Sequence, residues 1–171
     1  MLKMALDDDF WEVAMIGYNL LNPSAVRTIL PLTKRKGIGM LCMFTVRSAL
    51  SDPKMLKPDI RKMLTVGQVD SSLVKEEHTL DFLIRDGGAE SIMEAAYRFC
   101  CHTYGIDVTL TGTSSSEHLL QNLKSISQQP LPDQVLKKLA QMFGNVDCVS
   151  GEQDFPWSDI IVSSSLKNGH P

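Results

Sequence analysis

The sequence predicts a parallel α/β fold, and three features carry that prediction. Short apolar runs, Val13 to Tyr18, Ile38 to Phe44 and Ile106 to Leu110, alternate with segments of helical period. Pro, Gly and small hydroxyl residues stand at the joins between them. The resulting order of strand, helix, strand, helix, strand, helix is that of a parallel sheet with helical crossovers. At 171 residues the chain is long enough for one domain with its own core, because folding at this size buries roughly 70% of the unfolded surface.

Each element follows from local chemistry. "VAMIGY", from Val13 to Tyr18, is apolar on both parities, as expected of a strand covered on both faces. Asn22-Pro23-Ser24 opens a helix with Pro23 where a missing N–H is harmless, and Gly37 closes it after the basic Lys34-Arg35-Lys36. Pro31 lies inside that segment and predicts a kink or two short helices. "IGMLCMF", from Ile38 to Phe44, is a second buried strand, and Ser51-Asp52-Pro53 starts a helix through Leu64. Residues 65–78 have no period and read as a long loop. Ile92, Ala95, Ala96, Phe99 and Cys100 then mark one face of a helix that Gly105 ends. Ile106, Val108 and Leu110 alternate with Asp107 and Thr109 as a short strand. Pro132 begins a last helix with Val135, Leu136, Leu139, Met142 and Phe143 inward, and Gly144 stops it. Residues 145–171 read as a polar, surface-wrapping tail.

Composition excludes several functions. With 43% hydrophobic and 22% charged residues and a net charge of −3, there is no basic face for nucleic acid. No run approaches the ~18 apolar residues that cross a bilayer, and the N-terminus has no apolar leader, so no membrane association and a cytoplasmic location are expected. Cys42, Cys100, Cys101 and Cys148 have no zinc-ligand spacing and read as reduced, buried thiols. His78, His102, His118 and His170 are scattered, so no metal site is expected, and Asp7-Asp8-Asp9 is a solvated charge run.

The stretch "GTSSSEHLLQNLKSI", Gly112 to Ile126, passes from the third strand straight into an amphipathic helix. Its first N–H groups lie at the carboxyl edge of the sheet, where parallel α/β proteins bind ligands and where an anion is the natural guest. Ser114 with Glu117 three residues on has the spacing of a capping box, which would satisfy part of that donor set internally. The residues alone leave both readings open.

"YNLLNPS", "GIGMLCMFTVRSAL" and "GIDVTLTGTSSSEHLLQNLKSI" stand in the order and approximate spacing of the later strands and loops of aldo-keto reductases, which the chain resembles over most of its length. The resemblance implies an eight-stranded (β/α) barrel that binds NADP(H) or NAD(H) across the carboxyl ends of its strands and reduces a carbonyl or oxidises an alcohol. Such a barrel needs ~250 residues. The three strands here therefore correspond to strands six to eight, an incomplete C-terminal part of a (β/α)8 TIM barrel: a partial barrel domain over 1–144 and a tail over 145–171. The first strand starts as early as Val13, which suits a truncated or split gene. The family's catalytic Asp, Tyr, Lys and His belong to the front part, so no catalytic residue is assigned. Tyr18, Tyr97 and Tyr104 are read as structural.

What the resemblance carries over is the cofactor side. Thr113, Ser114 and Ser115 would face the adenosine 2′-phosphate, and Gln121 and Asn122 the adenine. Gly112 and His118 stand where the family usually has a basic residue, which leaves NADP against NAD undecided. Met15 and Met43 occupy positions beneath and beside the nicotinamide, where the family commonly has a Gln and an aromatic; they are either cofactor contacts or core. Arg47 either pairs with the pyrophosphate or faces solvent. Met15, Met40, Cys42 and Val108 are expected to point into the barrel, and a part-barrel should expose them and self-associate through its open sheet edges. Two readings from other classes stand beside this one: a short non-catalytic nucleotide-binding or interaction module, and an unrelated α/β domain.

Overall fold

The computed structural model describes residues 2–149. A helical turn α1 (Leu2–Ala5) precedes the strand β1 (Val13–Gly17), the helices α2 (Ala25–Thr28) and α3 (Leu30–Lys36), and the strand β2 (Gly39–Met43). Helices α4 (Ser48–Ser51), α5 (Pro53–Thr65), α6 (Phe82–Arg85) and α7 (Ile92–Cys101) follow, then the strand β3 (Val108–Thr109) and helices α8 (Ser116–Ile126) and α9 (Asp133–Phe143).

The helix boundaries obey the expected chemistry. Pro31 enters α3 in its first turn and divides the segment into α2 and α3, and Gly37 caps α3 in the left-handed region at φ 70°. Asp52 caps α5 by accepting the Lys54 N–H, with Pro53 at the first helical position. Ser91 caps α7 by accepting the Glu94 N–H. The short turns α1, α4 and α6 had no readable period.

The sheet is parallel throughout, in the order β1-β2-β3. Val13 to Gly17 pair with Gly39 to Met43, and Leu41 and Cys42 pair with Val108 and Thr109. The strand β3 is shorter than its alternation suggests, because Asp107 spends its side chain on the ladder. Its backbone N–H donates to Met40 O while its carboxylate accepts the Met40 N–H at 2.8 Å and pairs with Lys34 at 2.9 Å.

Register decides which side chains share a face. Ala14 and Ile16 align with Met40, Cys42 and Thr109, and Val13, Met15 and Gly17 align with Leu41, Met43 and Val108. The first face lies under the helices: Ile16, Met40 and Cys42 pack with Tyr18, Leu30 and Cys100. A larger cluster joins α5, α6, α7 and α9 through Ile60, Met63, Leu83, Ala96, Leu139 and Phe143. The second face is open, with Met15 and Val108 each 49% exposed.

Two expectations are thereby corrected. Met40 and Cys42 do not point into a barrel with Met15 and Val108; they are buried on the opposite, helix-covered face, because β2 meets β1 with Leu41, not Met40, opposite Met15. Nor is β1 covered on both faces, since Val13, Met15 and Gly17 are exposed. The expected tail starts as part of the body, with Val146 and Val149 buried in the larger cluster and the Asn22 Nδ2 donating to Val149 O at 2.8 Å. Its remainder, residues 150–171, lies outside the described residues, and His170 with it.

The crossing from α8 to α9 is held by a buried ion pair that sequence reading missed. Arg98 meets Glu94 one turn away at 3.1 Å and donates from Nε to Gln129 O at 2.7 Å and from an Nη to Pro130 O at 3.2 Å.

Candidate functional site

The carboxyl ends of β2 and β3 gather the site. After Met43 the chain does not continue as a strand: Phe44 adopts φ 69°, a left-handed conformation that costs a residue with a Cβ about 1–2 kcal/mol. Two hydrogen bonds hold the bend, from Tyr18 N–H to Met43 O at 3.1 Å and from the Asn19 Nδ2 to Phe44 O at 3.2 Å. In a regular strand Phe44 would alternate onto the helix-covered face. Instead its ring sits over Gly17, which shares the open face with Met43: a Cβ on Gly17 would lie 2.8 Å from Phe44 Cδ2. The Arg47 guanidinium stacks on the same ring, its Cζ 3.7 Å from the centroid.

The β3 side supplies hydroxyls. Leu110 N–H donates to Cys42 O, extending the ladder, and Thr111 follows with its Oγ1 hydrogen-bonded to the Tyr97 hydroxyl at 2.7 Å and accepting from the Asn122 Nδ2 at 2.8 Å. Burial pushes the Tyr97 phenol up, so it stays neutral and acts as a hydrogen-bonding hydroxyl. Gly112 is followed by open space, with nothing within 4 Å of where a Cβ would be. Thr113 Oγ1 accepts the Ser115 N–H at 3.1 Å. Ser115, not Ser114, caps α8, and its Oγ accepts the His118 N–H at 3.3 Å. The expected Ser114–Glu117 box is thus displaced by one residue: three serines in a row make the spacing ambiguous, and the helix starts at Ser116. Glu117 still lies in the first turn, where its charge complements the helix dipole.

A cavity of about 500 Å³ opens between these two loops, lined by Met43, Phe44, Thr45, Arg47, Tyr97 and Gly112 among others. It brings together Met43, Arg47 and Gly112, three of the expected site residues. Thr113, Ser114, His118 and Gln121 are exposed at and beyond the start of α8, outside the lining, while Asn122 turns back to Thr111. Met15 lies on the open face and is not core. Sequence reasoning missed Tyr97 and Thr111 as parts of the site and passed over Phe44; the one legible sign was Gly17, since a glycine in a strand often marks a close approach. Three hollows, of about 620, 600 and 580 Å³, are larger. The first adjoins the cavity through α4, sharing Ser51 with it, and the other two lie among the helices.

The remaining titratable groups fit structural roles. Cys42 and Cys100 are buried, both thiols reach Tyr18 O, and burial pushes the Cys100 thiol up. Tyr18 is buried, hydrogen-bonds Thr103 and is raised by desolvation. Tyr104, expected to be structural, is 81% exposed, with the Lys34 ammonium 5.9 Å from its ring centroid, because it follows the end of α7 at the turn into Gly105. Among the described residues no cluster of His, Cys, Asp or Glu could hold a metal, and no helix is long and apolar enough to cross a membrane.

The cavity, lined in part by hydroxyl side chains, lies at the carboxyl ends of the strands, the edge at which parallel α/β folds generally bind their ligands. The chain belongs to the aldo/keto reductase family, whose sequence profile matches residues 8–143; this removes the reading as an unrelated α/β domain. Its fold is similar to aldo-keto reductase AKR11C1 from Bacillus halodurans. The holo form superposes with a TM-score of 0.55 at 15% identity, covering 88% of this chain and 49% of that one. The apo form gives 0.54 at 15% identity, covering 88% and 50%. The chain thus spans about half the length of the solved structures it matches. No curated protein sequence matches it.

Proposed function

We propose that this chain is the cofactor-binding, C-terminal part of an aldo-keto reductase barrel, with residues 1–144 as the partial barrel, its strands the last three of eight, and the catalytic residues supplied by the part it lacks. The observation that carries the reading is the cavity at the carboxyl ends of β2 and β3, where Met43, Arg47 and Gly112 converge beside the start of α8. The donor set suits a nicotinamide dinucleotide. Thr113, Ser114 and Ser115 present hydroxyls and backbone N–H groups to an anion, the open space at Gly112 admits a phosphate close to the backbone, and Arg47 supplies positive charge. Gln121 and His118 lie further along α8, on the adenosine side. Three engagements limit the reach of this set: the Ser115 N–H already donates to Thr113 Oγ1, the Ser115 hydroxyl already caps α8, and Asn122 already serves Thr111.

The cofactor would supply hydride to a carbonyl, or accept it from an alcohol, in the complete protein. The residues of this chain bind and orient it: Met43 offers an apolar flank, and Arg47 and the Thr113–Ser115 run hold phosphates. Among the described residues no Asp, Glu, His, Lys or Cys lines the cavity. Tyr97 is its one phenol, its hydroxyl is engaged by Thr111, and its pKa is raised. The chain alone should therefore bind NADPH or NADH and reduce no aldehyde or ketone. Titration of the purified chain with each cofactor, followed by cofactor fluorescence, tests the first half, and the absence of any saturable change would overturn the reading. Turnover by a chain of verified length would overturn the second half. The open sheet face, with Val13, Met15, Val108 and Leu110 partly exposed, supports self-association of the isolated chain through its edges.

A further inference from the structure

We propose that the hollow of about 600 Å³ between α2, the end of α7 and α9 is a small-molecule site, and that it takes a monocarboxylate with an aromatic body. The inference is independent of the cofactor reading above, because the hollow shares no lining residue with the cavity at the strand ends.

Size and lining suit such a body. Small-molecule sites run from roughly 300 to 1,000 Å³ and are lined mainly by apolar and aromatic side chains with a few polar groups. Here Leu136, Leu139 and Ala140 of α9 form one part of the lining, and the rings of Tyr18 and Phe99, stacked 5.4 Å apart at 10°, form another. The hollow lies on the seam between the two core clusters. Phe99 packs against both yet is only part-buried, and so is Leu136, so apolar surface stays open to water that a ligand would cover. The stacked pair and the exposed Tyr104 ring present flat faces, which favour a ring over a flexible chain. Charge decides the head group. The lining includes Arg27, Arg98 and His102 and no Asp or Glu. Arg98 is matched by Glu94 and spends its donors on the carbonyls of Gln129 and Pro130, and His102 Nε2 is engaged with Gln128 O. Arg27 is the exception. It is exposed on α2, its Nη1 donates to the neutral amide oxygen of Asn145 at 2.6 Å, and among the described residues no carboxylate pairs with it. A hydrogen bond from a guanidinium to a carboxylate is stronger than one to an amide, and the planar fork takes a carboxylate through two parallel N–H donors. A carboxylate at Arg27 with its ring against Phe99 satisfies both the charge and the open apolar surface; an ammonium there would meet a like charge.

The test uses the full chain and two probes with the same body, 1-naphthaleneacetate and its neutral amide, 1-naphthaleneacetamide, followed by ligand fluorescence. The acetate should bind about tenfold more tightly than the amide, the scale of one charge-assisted hydrogen bond. Arg27→Gln should remove that preference by weakening the acetate about tenfold and leaving the amide unchanged. Ala140→Trp should abolish binding of both probes by filling the hollow; Ala140 is exposed, so the larger side chain does not enter the core. Circular dichroism melts of both variants establish that the fold is retained. Saturating NADPH should leave the affinity for the acetate unchanged. If the parent binds neither probe, or binds both equally, the site as proposed is wrong. If Ala140→Trp folds and still binds, or if NADPH competes with the acetate, the probe sits elsewhere and the proposal is again wrong. A failure of the chain to bind NADPH overturns the cofactor reading alone, since the naphthalene probes report on the hollow without it.

Discussion

The two faces of the three-stranded sheet have the same residue classes and opposite fates. Ile16, Met40 and Cys42 are almost fully buried against α3, α7 and the start of the chain, whereas Val13, Met15 and Val108 on the other face are about half exposed. Nothing in hydrophobicity separates Met40 from Met15. What separates them is that the chain supplies helices for one face and, among the described residues, no element for the other. The difference teaches that a strand of a parallel barrel is apolar on both sides for two different reasons, one satisfied by its own crossover helix and the other by strands elsewhere in the barrel. Helix α8 repeats the contrast. It has no buried residue, and Leu119, Leu120 and Leu123 are all exposed although its period is as regular as that of α7.

Substitutions on the two sides should separate widely. The largest effect is expected from Arg98→Ala on the covered side, where Glu94 would be left buried without its cation and the carbonyls of Gln129 and Pro130 without their donor. A loss of about 3–5 kcal/mol is typical of breaking such a pair, and urea unfolding should report it as a lower midpoint. Next comes the direct comparison of methionines. Met40→Ala should cost about 2–5 kcal/mol as a buried truncation, and Met15→Ala, on the half-exposed face, well under half as much by area. Equal losses would mean that Met15 is covered in solution, as by a second copy. In that case Met15→Lys should slow sedimentation of the chain to that of a monomer and leave its melting cooperative. A smaller effect, about 1 kcal/mol, is expected from Ser115→Ala. Removal of that cap should raise amide exchange in the first turn of α8 and leave α7 unchanged, since no residue of α8 is buried and its other anchors, Asn122 on Thr111 and Lys124 on Glu90, lie further along the helix.

The smallest effect concerns the joint between the faces. The Lys34 ammonium, followed by the Met40 N–H, holds the Asp107 carboxyl below its usual range. A carboxylate with a depressed pKa in the folded state contributes stability above the ordinary Asp value of ~3.9, and that contribution is lost as pH falls through the lower, folded value. Urea midpoints taken from pH 6 downward should therefore drop below about pH 4, with a shallower drop in Asp107→Asn. Because both partners are more than a third exposed, salt should flatten the difference.

The elements that were legible in the sequence are those whose cause is local. Pro31 divides α2 from α3, Asp52 with Pro53 starts α5, Gly37 and Gly144 end their helices, and the period of residues 92–100 marks the buried face of α7. The family was legible too, because three quoted segments carry it in order and the family profile covers the same stretch. Caps were legible only to within a residue, as the run Ser114 to Ser116 shows, because consecutive hydroxyls offer several equivalent starts. Facing was not legible at all. Alternation within β2 says that Met40 and Cys42 share a side, but the register that sets Leu41 opposite Met15 depends on contacts between strands far apart in the chain. The site divides along the same line. Gly112, Arg47 and Met43 were readable as candidates from their places after strands, yet only the tertiary structure joined them in one cavity, turned Phe44 over Gly17 into a bed for Arg47, and drew Asn122 back to Thr111. Local sequence fixes where an element begins and which residues it offers; what each residue meets is decided by packing between elements, and there the energy of a contact depends on partners that no short stretch contains.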